Sequence, residues 1–357
     1  GTYAKNRPEL HNMKAQMNTQ MNTQMMAPMK APMKAPMTRN LRFATLIAAT
    51  ALAVGVVTAA TAITAATAYA QPDRQQRIDT TFAFNKSGWL DVGAVSGTII
   101  VTGWTKQEAR IVARIETGWF ESSLSTSRIT LNTRSERSSS RRSNRMSEAH
   151  IEISVPIGTR VMASTTSGDM RIRGTAAEVQ AHAISGNVEV VDAAEVVEVG
   201  TVSGDIRLER IRARTRINTT SGDLTLDGIT GDLEIRSTSS DMVIRGVESS
   251  DVRIGTTSGD ISYDGTIDPK GRYEISTHSG DVKFSVPSNI GATLSLQSYS
   301  GDIDSAFPMT LQPGQIRRQR GRQMEFMVGG GGARVSITTF SGDITIERGS
   351  ARSPREE

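Results

Sequence analysis

The tripeptide Ser-Gly-Asp, with near-copies of it, returns through most of this chain, and its serine falls at Ser167, Ser185, Ser203, Ser221, Ser239, Ser258, Ser279, Ser300 and Ser341. The steps between these positions, by subtraction, are 18, 18, 18, 18, 19, 21, 21 and 41 residues, the last being two steps with one copy lost. So even a period means a stack of like units. Counting from the motif serine, apolar side chains recur at offsets 3, 5, often 8, then 12 and 14. In the unit from Ser221 these are Leu224, Leu226, Ile229, Leu233 and Ile235; in the unit from Ser185 they are Val188, Val190, Ala193, Val197 and Val199. Offsets 3 and 5 share one face of a strand, and so do 12 and 14.

Each unit is therefore two short strands with a bend between them, at places such as Asp227-Gly228. One unit cannot close a core, but stacked units can, each laying its apolar face on the next. The expected fold is all-β, a β-solenoid of 18–21 residues per coil. Nine or ten rungs at about 4.8 Å make a rod on the order of 45 Å long. The array runs over residues 162–348. Its missing copy between Asp302 and Ser341 is filled by the basic stretch Arg317 to Gln323 and by Gly329 to Gly332, which read as a coil with an inserted loop. The segment Ser341 to Ile346 reads as the closing strand, and 349–357 as a polar tail.

Residues 71–161 read as an N-terminal β region capping the stack, with apolar or alternating runs at Thr81 to Phe84, Trp89 to Val92, Gly97 to Val101 and Ala109 to Glu116. Val95-Ser96-Gly97-Thr98 looks like a degenerate motif copy. All three tryptophans, Trp89, Trp104 and Trp119, lie here; they are expected to plug the open end of the stack, with ligand stacking as the alternative. Residues 135–148 are a Ser/Arg run without apolar periodicity, expected to be a disordered, solvated loop. Its arginines 137, 141, 142 and 145 could also meet an anionic surface.

The first 70 residues read as leader. Residues 1–36 are low-complexity and stand ahead of Met37, a conventional start, as a possible extension of the reading frame. Residues 37–70 read as a secretory signal peptide: Arg39 and Arg42, an apolar run from Phe43 to about Ala65, and Ala68-Tyr69-Ala70 before the expected cut. The rival reading is an uncleaved membrane anchor, the one contact with membrane the sequence offers. The leader holds seven of the 41 basic residues and one of the 37 acidic ones, leaving 34 against 36 after residue 70. That near-neutral balance gives no reason to expect nucleic acid as a partner. With no cysteine, disulfides and thiolate metal sites are excluded.

The motif glycine asks for a positive φ or a close approach between rungs. The aspartate can accept backbone N–H groups, and the Ser and Thr before the motif can form hydroxyl ladders. The functional alternative is a cation row along Asp169, Asp205, Asp223, Asp241, Asp260, Asp281, Asp302 and Asp343, with Asn187 the exception. Stacked carboxylates repel and invite cations, so calcium is the one cofactor worth a test. An enzyme is not expected. A catalytic pair is a local exception to a repeat, whereas these aspartates recur, and His150, His182 and His278 have no metal-ligand spacing. A carbohydrate-active β-helix is the enzymatic alternative.

The stretch from about Thr81 to Ile346 resembles the bacterial putative-adhesin domain family, a domain of unknown function. The matching features are Val155-Pro156 leading into Thr165-Thr166-Ser167-Gly168-Asp169, the serial coils, Val286-Pro287, and Gly330-Gly331-Gly332-Ala333 ahead of Thr338-Thr339-Phe340-Ser341-Gly342-Asp343. The resemblance implies a β-solenoid on the cell envelope and brings no catalytic residues. The expected protein is thus periplasmic or extracellular, binding or scaffolding an envelope protein or polymer, with a cation-binding surface adhesin as the alternative.

Overall fold

The computed structural model describes residues 73–134, 148–307, 310–311 and 322–349; the leader, the Ser/Arg run at 135–147, residues 317–321 and the tail from 350 lie outside the described residues. Every regular element among them is a strand, as the period requires. Each coil crosses two faces. Face A carries the strand entering the serine and face B the strand leaving the aspartate.

Neighbouring coils pair in parallel and in register. On face A, Val197 to Ser203 lie beside Val179 to Ser185, and on face B Val188 to Val191 lie beside Ile206 to Glu209. Motif therefore sits on motif: Ser167, Ser185, Ser203 and Ser221 pair in turn, then Ser239, Ser258 and Ser279. The expected offsets face inward. Leu224, Leu226, Ile229, Leu233 and Ile235 are all buried, as are their counterparts from Val188 to Val199. Where the steps lengthen to 21 residues, the interior takes larger side chains: Tyr263 stacks on Phe284 at 5.0 Å, and the Tyr273 hydroxyl accepts the Asp268 N–H while donating to the Ser249 carbonyl. The extra residues of that coil close over Tyr273 as a turn, with Lys270 N–H on Asp268 Oδ1.

The order of rungs departs from the order of sequence at both ends. The strand Trp89–Trp104 is a full coil, with Ser96, Gly97 and Thr98 opposite Ser167, Gly168 and Asp169. Its other side is covered by Arg128–Arg134 and Ala149–Pro156, which come later in the chain. Antiparallel strands Arg77–Ala83 and Glu108–Ile115, and Trp119–Leu124, then finish that end. At the other end the expectation of a closing strand at Ser341 to Ile346 is corrected. The coil Ala333–Arg348 lies between the coil Arg272–Val286 and the coil Ala292–Ser305, with Ser341 paired to both Ser279 and Ser300. Beyond the coil Ala292–Ser305 lies Arg322–Val328, antiparallel to Ala292–Ser300, and outside it the two-residue strand Thr310–Leu311, antiparallel to Arg322–Val328. Among the described residues eleven parallel rungs result, ten of them with a motif corner.

The tryptophans do not plug the end. Trp89 and Trp119 begin strands and are half-buried, and Trp104 ends one, donating its Nε1–H to the Glu108 carbonyl at 2.7 Å. Phe84, Phe120 and Ile111 fill the interior there instead.

Candidate interaction face

The motif corner explains its own composition. Six of the eight motif glycines have a positive φ, 117° at Gly222 and 146° at Gly280, the exceptions being Gly168 and Gly301, and at all eight a Cβ would run into the carbonyl of a neighbouring corner. In the unit from Ser239 the glycine is replaced by Ser240, buried and hydrogen-bonded through its hydroxyl to Ser237 Oγ at 2.6 Å. The aspartates do form one row, and in two runs, Asp169 to Asp223 and Asp241 to Asp302, the side-chain oxygen of one corner reaches the backbone of the next. Asp169 Oδ1 accepts the Asn187 N–H, Asn187 Oδ1 the Asp205 N–H, and Asp205 Oδ1 the Asp223 N–H, at 2.9–3.1 Å. The row continues from Asp241 to Asp260, Asp281, Asp343 and Asp302, at 2.8–2.9 Å. An acceptor spent on a backbone donor is a turn device, and Asn187 serves as well as aspartate. Among the described residues no group of three or more His, Asp or Glu side chains is placed to hold a metal ion.

Two residues before the serine, hydroxyls line the inside of the corner. Thr201 and Thr219 share a hydrogen bond at 2.9 Å, and Thr219, Thr256, Ser298 and Thr339 donate to corner carbonyls. Thr165 and Thr277, at the same position, have buried hydroxyls with no partner among the described atoms. In the five coils from Ser167 to Ser239 the opposite corner is turned by a left-handed residue seven places after the serine. Gly174, Gly228 and Gly246 supply it, but Asp192 (φ 56°) and Arg210 (φ 52°) also adopt it. Those two are joined by a fork of 2.6 and 2.9 Å between guanidinium and carboxylate. The hydrogen bond from Arg210 holds the Asp192 carboxyl below its ordinary range.

The outward position just before the serine is the one no internal bond absorbs. In rung order it holds Val95, Thr166, Ile184 and Val202, then Thr220, Thr238 and Thr257, then His278, Phe340 and Tyr299, and every one is exposed. Ile184, Val202, Tyr299 and Phe340 are about half exposed, which is unusual for large apolar side chains repeated along one line. The three rings stack: Phe340 lies 4.8 Å from His278 and 4.7 Å from Tyr299, nearly parallel to both. The next outward row on face A includes Gly93, Ser164, His182, Gly200, Asn218, Gly255, Ser276, Thr338 and Gln297, and its one charge is Arg236, paired to Glu234 at 2.6 Å. Beyond it the charges begin. Glu198, Arg216, Glu234, Arg253 and Glu274 are successive neighbours in the ladder, alternating in sign. The corner is thus flanked by a strip two side chains wide along ten rungs that is uncharged except for the paired Arg236.

No local signal in the sequence marks this strip, because residues 278, 299 and 340 are far apart in the chain and meet only where the coil Ala333–Arg348 enters between its neighbours. The other two histidines among the described residues are also placed: His150 Nε2 lies 2.8 Å from Glu152 Oε1, and His182 lies over Gly200, where a Cβ would come 2.8 Å from Nδ1.

A parallel β-solenoid with stacked Ser-Gly-Asp corners and an exposed uncharged strip is the class this chain defines. It belongs to the Toastrack DUF4097 family, a domain family of unknown function, whose profile matches residues 96–347. Among solved structures, one described as a putative adhesin from Bacteroides fragilis is similar at 14% identity and a TM-score of 0.32, covering 78% of this chain and 99% of its own. A putative cell adhesion protein from Clostridium sporogenes is similar at 10% identity and a TM-score of 0.21, covering 76% and 99%. No curated protein matches the chain.

Proposed function

We propose that this is an exported, non-enzymatic binding protein of the cell envelope, adhesin-like, that docks its partner along the uncharged strip. The observation that carries the reading is the strip itself, since exposed apolar side chains aligned on one line of a folded protein mark interaction sites. Export is supported by the basic, apolar and Ala-x-Ala order of residues 39–70. A binding role rather than catalysis is supported by the chemistry of the corner, where recurring carboxylates bond to backbone and the histidines pack or pair as described.

The test uses chain beginning at Gln71, fluorescently labelled, and measures its retention on isolated envelopes at concentrations where it is monomeric. Ile184→Ser combined with Phe340→Ser should abolish retention, while Leu124→Ser, a change to an exposed apolar side chain outside the strip, should not. Retention unaffected by the double change would sink the reading.

A further inference from the structure

The strip narrows what can lie on it. Phe340 has a ring against each of its faces at 4.7–4.8 Å, so the middle of the stack offers a ring edge rather than an open π-face on which a sugar or a base could lie. With one paired charge in two rows, it gives an anionic or cationic polymer little to hold. What fits is another flat side-chain surface with the same rung repeat, about 4.8 Å. A second copy of this chain has that repeat.

Resting on the reading of the strip as the docking surface, we propose that two copies associate strip to strip, antiparallel, about a two-fold axis between the rungs of Thr220 and Thr238. Three features agree with that one axis. It sets Thr220 against the partner's Thr238 and brings the aliphatic end, with Ile184, onto the ring end at the partner's His278. It sets Gly200, partly covered by the His182 ring, against the partner's Gly255, two positions without a side chain of their own. It also makes the flanking charge row self-complementary, because Arg216 then faces the partner's Glu234 and Glu198 faces the partner's Arg253. Parallel pairing of the strips would leave those charge rows on opposite sides. Such two-fold contacts, the same patch on both copies, close on themselves and stop at a dimer. Ten rungs and two rows bury roughly 500 Å² per copy, about 1,000 Å² per pair, which is at the low end for a specific interface. The dimer is therefore weak and reversible, forming where the protein is concentrated.

Sedimentation of the chain beginning at Gln71, from micromolar to millimolar, tests this. The mass should rise from monomer to dimer and no further, and Phe340→Ser should weaken association about tenfold or more. Leu124→Ser should leave it unchanged. Because the chain has no cysteine, orientation can be read directly. Ile184→Cys with His278→Cys, five rungs apart within one copy, should oxidise to a covalent dimer, and neither single variant should. A monomer at every concentration, a dimer indifferent to Phe340→Ser, or cross-linking by the single variants would each overturn the proposal. If the wild type stays monomeric while the strip variants still lose envelope retention, self-association falls and the docking reading stands.

Discussion

Two glycines six residues apart do different work. Gly222 sits in a motif corner, where a Cβ would overlap the Gly204 carbonyl, whereas Gly228 turns the opposite corner at φ 71° with its nearest neighbour, the Arg210 Cα, 3.7 Å from a built Cβ. Gly228→Ala should therefore cost only the left-handed backbone, about 1–2 kcal/mol. Gly222→Ala adds overpacking against backbone and should cost roughly 3–5 kcal/mol in urea unfolding. The aspartate of the motif makes a similar contrast. Asp260→Asn keeps an acceptor for the Asp281 N–H, as Asn187 does for Asp205, and should be close to neutral. Asp260→Ala leaves that donor without its acceptor and should cost about 1 kcal/mol. At Arg210 the backbone and the ion pair oppose each other. Arg210→Gly relieves a left-handed arginine, a net gain of about 0.5–1 kcal/mol, and gives up an exposed pair that contributes about 0–1 kcal/mol. Asp192 has its folded pKa depressed by Arg210, so the pair's contribution is present above the ordinary aspartate value and is lost as pH falls through the depressed one. Melting curves should show Arg210→Gly near wild type at neutral pH and above it in acid.

At the scale of the coil, the least expected property is the order of stacking. Both the Arg272–Val286 and Ala292–Ser305 coils precede Ala333–Arg348 in the chain, and either could pair with the other through its motif; yet the later coil separates them. Cysteine cross-linking reads this order. Ser276 pairs with Thr338, and Thr338 with Gln297, so Ser276 and Gln297 are two rungs, about 9.6 Å, apart. Ser276→Cys with Thr338→Cys should oxidise. Ser276→Cys with Gln297→Cys should stay reduced, since a disulfide cannot span more than about 7 Å between Cα atoms. Stacking in sequence order would give the reverse. The period and the inward offsets were readable in the residues because they are local, set by strand alternation within one coil. Rung order is a choice among coils with the same corner chemistry, and nothing in a Ser-Gly-Asp turn says which neighbour it takes. The ring stack at His278, Phe340 and Tyr299 was hidden for that reason. The left-handed row was hidden for another: Asp192 and Arg210 occupy it without being glycine, so no residue type marks the position.

For the whole molecule, the row of aspartates decides whether stability depends on a cation. Carboxylates one rung apart would repel at about 4.8 Å if they stood free, and a bound cation would then add stability by mass action. Here Oδ1 of one corner accepts the backbone N–H of the next from Asp169 to Asp223 and again from Asp241 to Asp302, so the negative charge is met by amide dipoles built into the fold. That compensation is present at every cation concentration. In a stack whose stability is a sum of coil and interface contributions, a ligand acting on the row would act at many interfaces together, and even a small effect at each would add up to a large shift in melting temperature. The comparison is therefore sensitive. Melting in excess calcium and melting in excess chelator should coincide, and a higher melting temperature in calcium, lowered stepwise by Asp260→Asn and Asp281→Asn, would show that the row holds ions as well as turns.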